Sequence, residues 1–218
     1  LQSLGVSVTG VYDRKKPAVV VRQCAGLKLG FAAWTHWSNS PINFSNPAPM
    51  QSNEALSFSW RQTRDALGLD TLVAGPHWGW EFQHFPQQET YDSAGKLASN
   101  GFDVIVGHHP HVVQPIDWFP GDRGPNTPPT LCHFSLGNLF GRTLSWPHRL
   151  LHLLEVELAT SGALKGRCIA YRCHPIVQLG AGTHTKLVPL RDAPAHLQIR
   201  MQERLARLFA VPKSDFAT

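Results

Sequence analysis

Short apolar runs alternate with stretches of helical composition along this chain, and that alternation predicts an α/β fold. Residues 19–21 and 27–35 read as strands, the second (LKLGFAAWT) almost continuous in apolar or small residues. Such runs mark strands covered on both faces. Residues 36–53 are rich in Ser, Asn and Pro, show no period, and read as a long surface loop of the kind that forms lids and binding loops. A helix is expected over 54–67, a short strand over 71–74, and then the loop GPHWGWEFQHFP. Residues 88–100 have helical composition and stop at Gly101, a common helix terminator. Residues 103–106 form a buried strand that runs directly into Gly107-His108-His109-Pro110-His111. After a Pro- and Gly-rich loop at 120–129 comes a strand at 131–135. Residues 151–158 and 164–171 flank Thr160-Ser161-Gly162 as a hairpin, and a terminal helix covers 195–209.

At 218 residues and 42% hydrophobic, the chain can bury a real core, and its length predicts one main domain. No apolar run approaches the roughly 20 residues of a membrane-spanning helix. No leader-like succession opens the sequence, which starts at Leu1. The net charge of +5 raises the question of nucleic acid. Lys and Arg are scattered, however, and the one tight cluster, Arg14-Lys15-Lys16, reads as a solvated turn before Pro17, so no nucleic-acid partner is expected. Cys24, Cys132, Cys168 and Cys173 show no CxxC spacing and fit neither a zinc knuckle nor a disulfide framework. Twelve histidines are the unusual feature, because imidazole at that density points to metal or proton chemistry.

The segment DVIVGHHPHV carries most of that chemistry. A strand delivers three histidines to its carboxyl end, where open α/β sheets place their sites. Gly107 is expected to let the backbone turn where a ligand approaches closely. His109 and His111 are expected to share a face of extended backbone and to converge on metal, with Pro110 stiffening the span. A second strand ends in His77-Trp78-Gly79-Trp80-Glu81. There His77 is a candidate ligand or general acid, and Glu81 a candidate to orient an imidazole or take a proton from water. Trp78 and Trp80 would wall the site. Two strand-then-histidine turns in one chain favour a shared centre over two ordinary corners. Asn138, in SLGNLF, can bond a phosphate or simply hold a turn; His36 is a weaker candidate at the end of strand 27–35. His84, His133, His148, His152, His174, His184 and His196 have no comparable setting and read as structural or exposed.

HWGWEF at 77–82, NGFDVIVGHHPHVVQPID at 100–117 and HFSLGNLF at 133–140, in that order, resemble the CapA family of capsule and poly-γ-glutamate biosynthesis proteins, with a calcineurin-like metallophosphatase fold. Leu4-Gly5-Val6 and GLKLGFAAWT also sit where that family has its equivalents. The resemblance implies a layered sandwich of two sheets flanked by helices, spanning residues 1–190, with 191–218 as a terminal helix and tail. It implies two divalent ions (Mn, Fe or Zn) held by His77, His109 and His111, with His77, Glu81 and His108 in catalysis and Trp78, Asn138 and His36 on the substrate. Two such ions roughly 3.5–4 Å apart would clamp a phosphoester and activate a water.

One departure is large. The family's opening GD strand, Asn-Leu-Glu segment and Asn-Asn-His turn have no counterpart here, and Gly121-Asp122 falls after the histidine motif. The expectation is a C-terminal part of a longer protein, with a centre completed by another chain or a degenerate site as the alternatives. The resemblance implies a metal-dependent phosphoesterase of cell-surface polymer synthesis, or else a non-catalytic subunit binding an anionic polymer within membrane-associated capsule machinery. It also implies a bacterial surface or membrane-associated location. A (β/α)₈ amidohydrolase, which can also open with HxH after a strand, fits poorly, since such barrels need roughly 250 residues.

Overall fold

A computed structural model describes residues 5–12, 19–37, 48–49, 52–124, 127–140, 145–180 and 184–210. The basic cluster at 14–16 and most of the loop expected over 36–53 lie outside them. In chain order the strands are β1 (Val11–Tyr12), β2 (Val20–Cys24), β3 (Leu27–Thr35) and β4 (Ala48–Pro49). Helices α1 (Ser52–Ser57) and α2 (Trp60–Leu67) lead to β5 (Thr71–His77), then α3 (Gln88–Ser99), β6 (Val104–Val106), β7 (Ile116–Phe119) and β8 (Thr130–His133). Last come β9 (Leu150–Leu158), β10 (Cys168–Leu179), β11 (Lys186–Pro189) and α4 (Ala195–Ala210).

Six strands form the main sheet in the order β2-β3-β5-β6-β8-β7, in which β3, β5, β6 and β8 run parallel. Three more, β11-β10-β9, form an antiparallel second sheet, and β1 pairs with β4. This is the α/β class that the pattern predicts, in the arrangement of two sheets with flanking helices that the resemblance implies. Alternation along β3 sends Ala32 and Trp34 into the core under the helices, while Leu29 and Phe31 face a cleft toward the second sheet. Trp34, Trp60 and Phe102 pack ring on ring at 5.1–5.9 Å and anchor α2 to the sheet. Each such buried aromatic contributes about 1.5–3 kcal/mol. A second core joins α4, through Leu197, Met201 and Leu208, to Val113, Leu150 and Val177.

Several expectations need correction. The helix expected over 54–67 is two helices, broken at Phe58-Ser59, where Asn100 bonds across the gap: its side-chain N–H donates to the Phe58 carbonyl and its Oδ1 accepts from the Trp60 N–H. The β9–β10 connection is longer than a tight turn. It contains a one-turn 3₁₀ helix at Gly162–Leu164, and the strand resumes only at Cys168. Strands β7 and β11 were not expected. IDWF is too short to show a period, yet in the fold it covers the far edge of β8.

Candidate functional site at the carboxyl edge of the main sheet

Register brings the polar residues together. Thr35 pairs with His77 across β3–β5, His77 bridges in parallel to His108, and Val106 pairs with His133. The carboxyl ends of the parallel strands therefore lie at one edge, and the loops that leave them are laced by backbone hydrogen bonds. Trp78 N donates to the His108 carbonyl (3.0 Å), His108 N to the Pro76 carbonyl (2.9 Å), Phe82 N to the Pro110 carbonyl (2.8 Å) and His36 N to the His77 carbonyl (2.8 Å).

Gly107 is required here, for a reason other than the one expected. A Cβ at this position would lie 2.0 Å from the Phe134 carbonyl oxygen and 2.5 Å from Nε1 of Trp78. The close approach is by the protein's own backbone, not by a ligand. The turn that follows is not extended either. His109 has φ 100° and His111 φ 62°. Non-glycine residues adopt such angles at a cost of about 1–3 kcal/mol, and they persist only where the surroundings enforce them.

That left-handed turn is what aims the rings. One ligand atom each of Glu81, His109 and His111 lies within 4.8 Å of the others. Glu81 Oε1 is 3.7 Å from His111 Nε2, and the His109 and His111 rings stand 5.8 Å apart at 60°. His77 flanks the trio, its ring centroid 4.4 Å from that of His109. The Thr35 hydroxyl donates to the Trp37 carbonyl (2.5 Å), so its oxygen accepts from Nδ1–H of His77 (3.1 Å). That leaves Nε2 of His77 with the free electron pair.

Burial favours the neutral form of His109 and His77. Burial and then the neighbouring His77 and His111 push His109 down to about 4, against a smaller opposing pull from Glu81. His77 is lowered by burial first and by His111 second. Neutral imidazole is the form that coordinates metal. With the Glu81 carboxylate the set is mixed nitrogen and oxygen, which fits Mn, Fe or Zn better than imidazoles alone.

The remaining expected residues are placed differently. Asn138 Oδ1 lies 2.7 Å from Nδ1 of His111 and fixes that ring. Trp78 is buried, with its N–H on the Phe134 carbonyl (3.0 Å), and lines a cavity of about 310 Å³ together with His36, Trp37 and Trp80. The exposed tryptophans at this edge are Trp80 and Trp37, whose rings lie 5.0 Å apart. Trp37 in turn donates to the Gly79 carbonyl and touches His36 at 4.8 Å. His108 lines the inter-sheet cleft and is not among the three converging groups, because the chain reverses at His109. Asp122 is a structural anion, 2% exposed and paired with Arg64 (2.9 Å) and Arg61 (3.1 Å). Sequence reasoning passed over Thr35 and Trp37. Their signal, a strand end one register from His77, exists only once β3 and β5 are paired.

The fold and this edge define a mixed α/β protein with a histidine- and carboxylate-lined centre at its strand ends. The profile of the family described as "Bacterial capsule synthesis protein PGA_cap" matches residues 1–142, and the chain belongs to that family. Among characterised relatives, the PGA biosynthesis protein CapA of Bacillus subtilis (strain 168) is 38% identical over 69 residues, 32% of this chain and 16% of that protein. The capsule biosynthesis protein CapA of Bacillus anthracis is 42% identical over 48 residues, 22% of this chain and 12% of that protein. The chain thus matches less than a fifth of either relative. The NAD nucleotidase NadN of Haemophilus influenzae superposes with a TM-score of 0.44 and 12% identity, over 87% of this chain and 36% of that one.

Proposed function

We propose that the chain carries the metal-binding edge of a metallophosphatase-like hydrolase that acts on a phosphoester in capsule or poly-γ-glutamate synthesis. The observation that supports this reading is the convergence of Glu81, His109 and His111 within 4.8 Å beside His77. Glu81, His109 and His111 would hold a divalent ion, which, when bound, supplies Lewis-acid polarisation of a phosphoryl oxygen and a more acidic water.

The protein's own groups do the rest. Asn138 locks His111 in one tautomer and presents its Nε2 to the site. His77, neutral and with Nδ1–H engaged by Thr35, offers Nε2 as a proton acceptor. Trp37 and Trp80 form an aromatic lip at the edge. No helix among the described residues is long and apolar enough to cross a membrane. Contact with membrane-associated capsule machinery is part of the same proposal.

Calorimetry with Mn²⁺ on the metal-stripped chain tests the site. His109→Ala and His111→Ala should abolish tight binding and any manganese-dependent phosphodiesterase activity. Unchanged Mn²⁺ binding in both variants overturns the metal assignment. If metal binding is lost while binding of poly-γ-glutamate persists and no hydrolysis occurs in the wild type, the non-catalytic polymer-binding role is the correct one.

A further inference from the structure

Behind that edge, where the end of β8 meets the second sheet, a second group of metal-ligating side chains spans the two sheets. One ligand atom each of His133, His152 and Cys173 lies within 4.8 Å of the others. His133 ends β8 in the main sheet, and the other two come from β9 and β10. His152 pairs with Pro175, so Cys173, two residues earlier on β10, lies diagonally across from it on the same face. His133 Nε2 and His152 Nδ1 are 2.9 Å apart, hydrogen-bonded to each other when no ion is bound, and close enough for both to reach one ion at Zn–N distances of about 2.0–2.1 Å once that proton is displaced.

Burial makes an ordinary packing role a poor account of this cluster. His133 has no exposed surface, and its Nδ1 finds no hydrogen-bond partner among the described residues. Leaving such an atom unsatisfied costs about 1–3 kcal/mol, which an apolar residue of similar size would avoid. Phe209 stacks on His152 at 5.8 Å and 18°, so the last turn of α4 covers one side. The other side has an entry path: His152 lines the apolar cleft of about 700 Å³ between the sheets.

We propose that His133, His152 and Cys173 form a second metal site, for Zn²⁺, that clasps the three-stranded sheet to the main sheet. The donor chemistry separates it from the edge site. A thiolate with two imidazoles selects a borderline or soft ion, whereas the carboxylate of Glu81 suits harder ones. Three protein ligands leave one tetrahedral position for water from the cleft. Binding displaces the Cys173 thiol proton to solvent, and the sulfur's electron pair goes to zinc, with no change of oxidation state.

The test uses the full chain, stripped of metal and reduced. Co²⁺ should give a near-ultraviolet thiolate-to-cobalt charge-transfer band in the wild type and in His111→Ala, but not in Cys173→Ser. Zn²⁺ should slow alkylation of Cys173, read on its own peptide by mass spectrometry, by about tenfold or more, since a coordinated thiolate is no longer a free nucleophile. Exposed Cys24 serves as the unprotected reference. Should Cys173→Ser fail to fold, the wild-type protection decides alone. Equal labelling of Cys173 with and without Zn²⁺, or a charge-transfer band that persists in folded Cys173→Ser, overturns the proposal.

Discussion

The Oδ1 atom of Asn138 lies 2.7 Å from Nδ1 of His111, joining the loop after β8 to the loop after β6. An amide oxygen accepts only, so His111 carries its proton on Nδ1 and presents Nε2 toward Glu81. Asn138→Ala should therefore leave the fold intact while weakening Mn²⁺ binding by about 10–100-fold, the usual consequence of freeing a ligand histidine. Titration calorimetry beside a circular dichroism melt checks both halves.

Gly107→Ala should be far more damaging than its size implies. The added methyl meets the Phe134 carbonyl, a backbone atom that cannot rotate away, and the Trp78 indole. A loss of about 3 kcal/mol is expected, measured as a drop in the urea midpoint at unchanged slope.

A buried ion pair holds the opposite end of the sheet. Asp103, at the start of β6, bonds Arg167 and accepts from the Leu72 N–H at 2.8 Å, and both charged side chains are almost wholly buried. Arg167→Met removes one partner and strands the carboxylate beside the more distant Arg123. About 3–5 kcal/mol should be lost, and Asp103→Asn in the same background should recover part of it. Equilibrium unfolding of the wild type, Arg167→Met and the double variant measures the loss and its recovery.

Acid should destabilise the metal-stripped chain before its carboxylates titrate. Unfolded imidazoles bind protons near pH 6.5, while burial holds His109 and His152 off to about 4. Between those values the unfolded state binds more protons, so stability falls as pH drops from about 6.5 to about 4 and contributes no slope above that window. Urea midpoints measured across the window should follow that course, and a flat profile would contradict it.

Much of the fold was legible locally. The apolar alternation of β3 and the strand-then-histidine turns after β5 and β6 are properties of neighbouring residues, so the α/β class and the sheet edge carrying the site could be read directly. Other features were not. The splitting of the 54–67 helix depends on Asn100, some forty residues away, bridging Phe58 and Trp60. Nor was the meeting of His133, His152 and Cys173 legible, because the three come together only where β8 approaches β9 and β10.

The sequence by itself determined which residue types could hold a metal and which strand ends would present them, since those follow from composition and local period. It also carried the family, in HWGWEF, GHHPHV and SLGN. Only the tertiary structure decided who works with whom. The left-handed turn at His109 leaves His108 lining the cleft and brings His109 and His111 together with Glu81, while Asn138 holds the His111 ring. Backbone angles enforced by contacts distant in the chain leave no trace in the order of neighbouring residues.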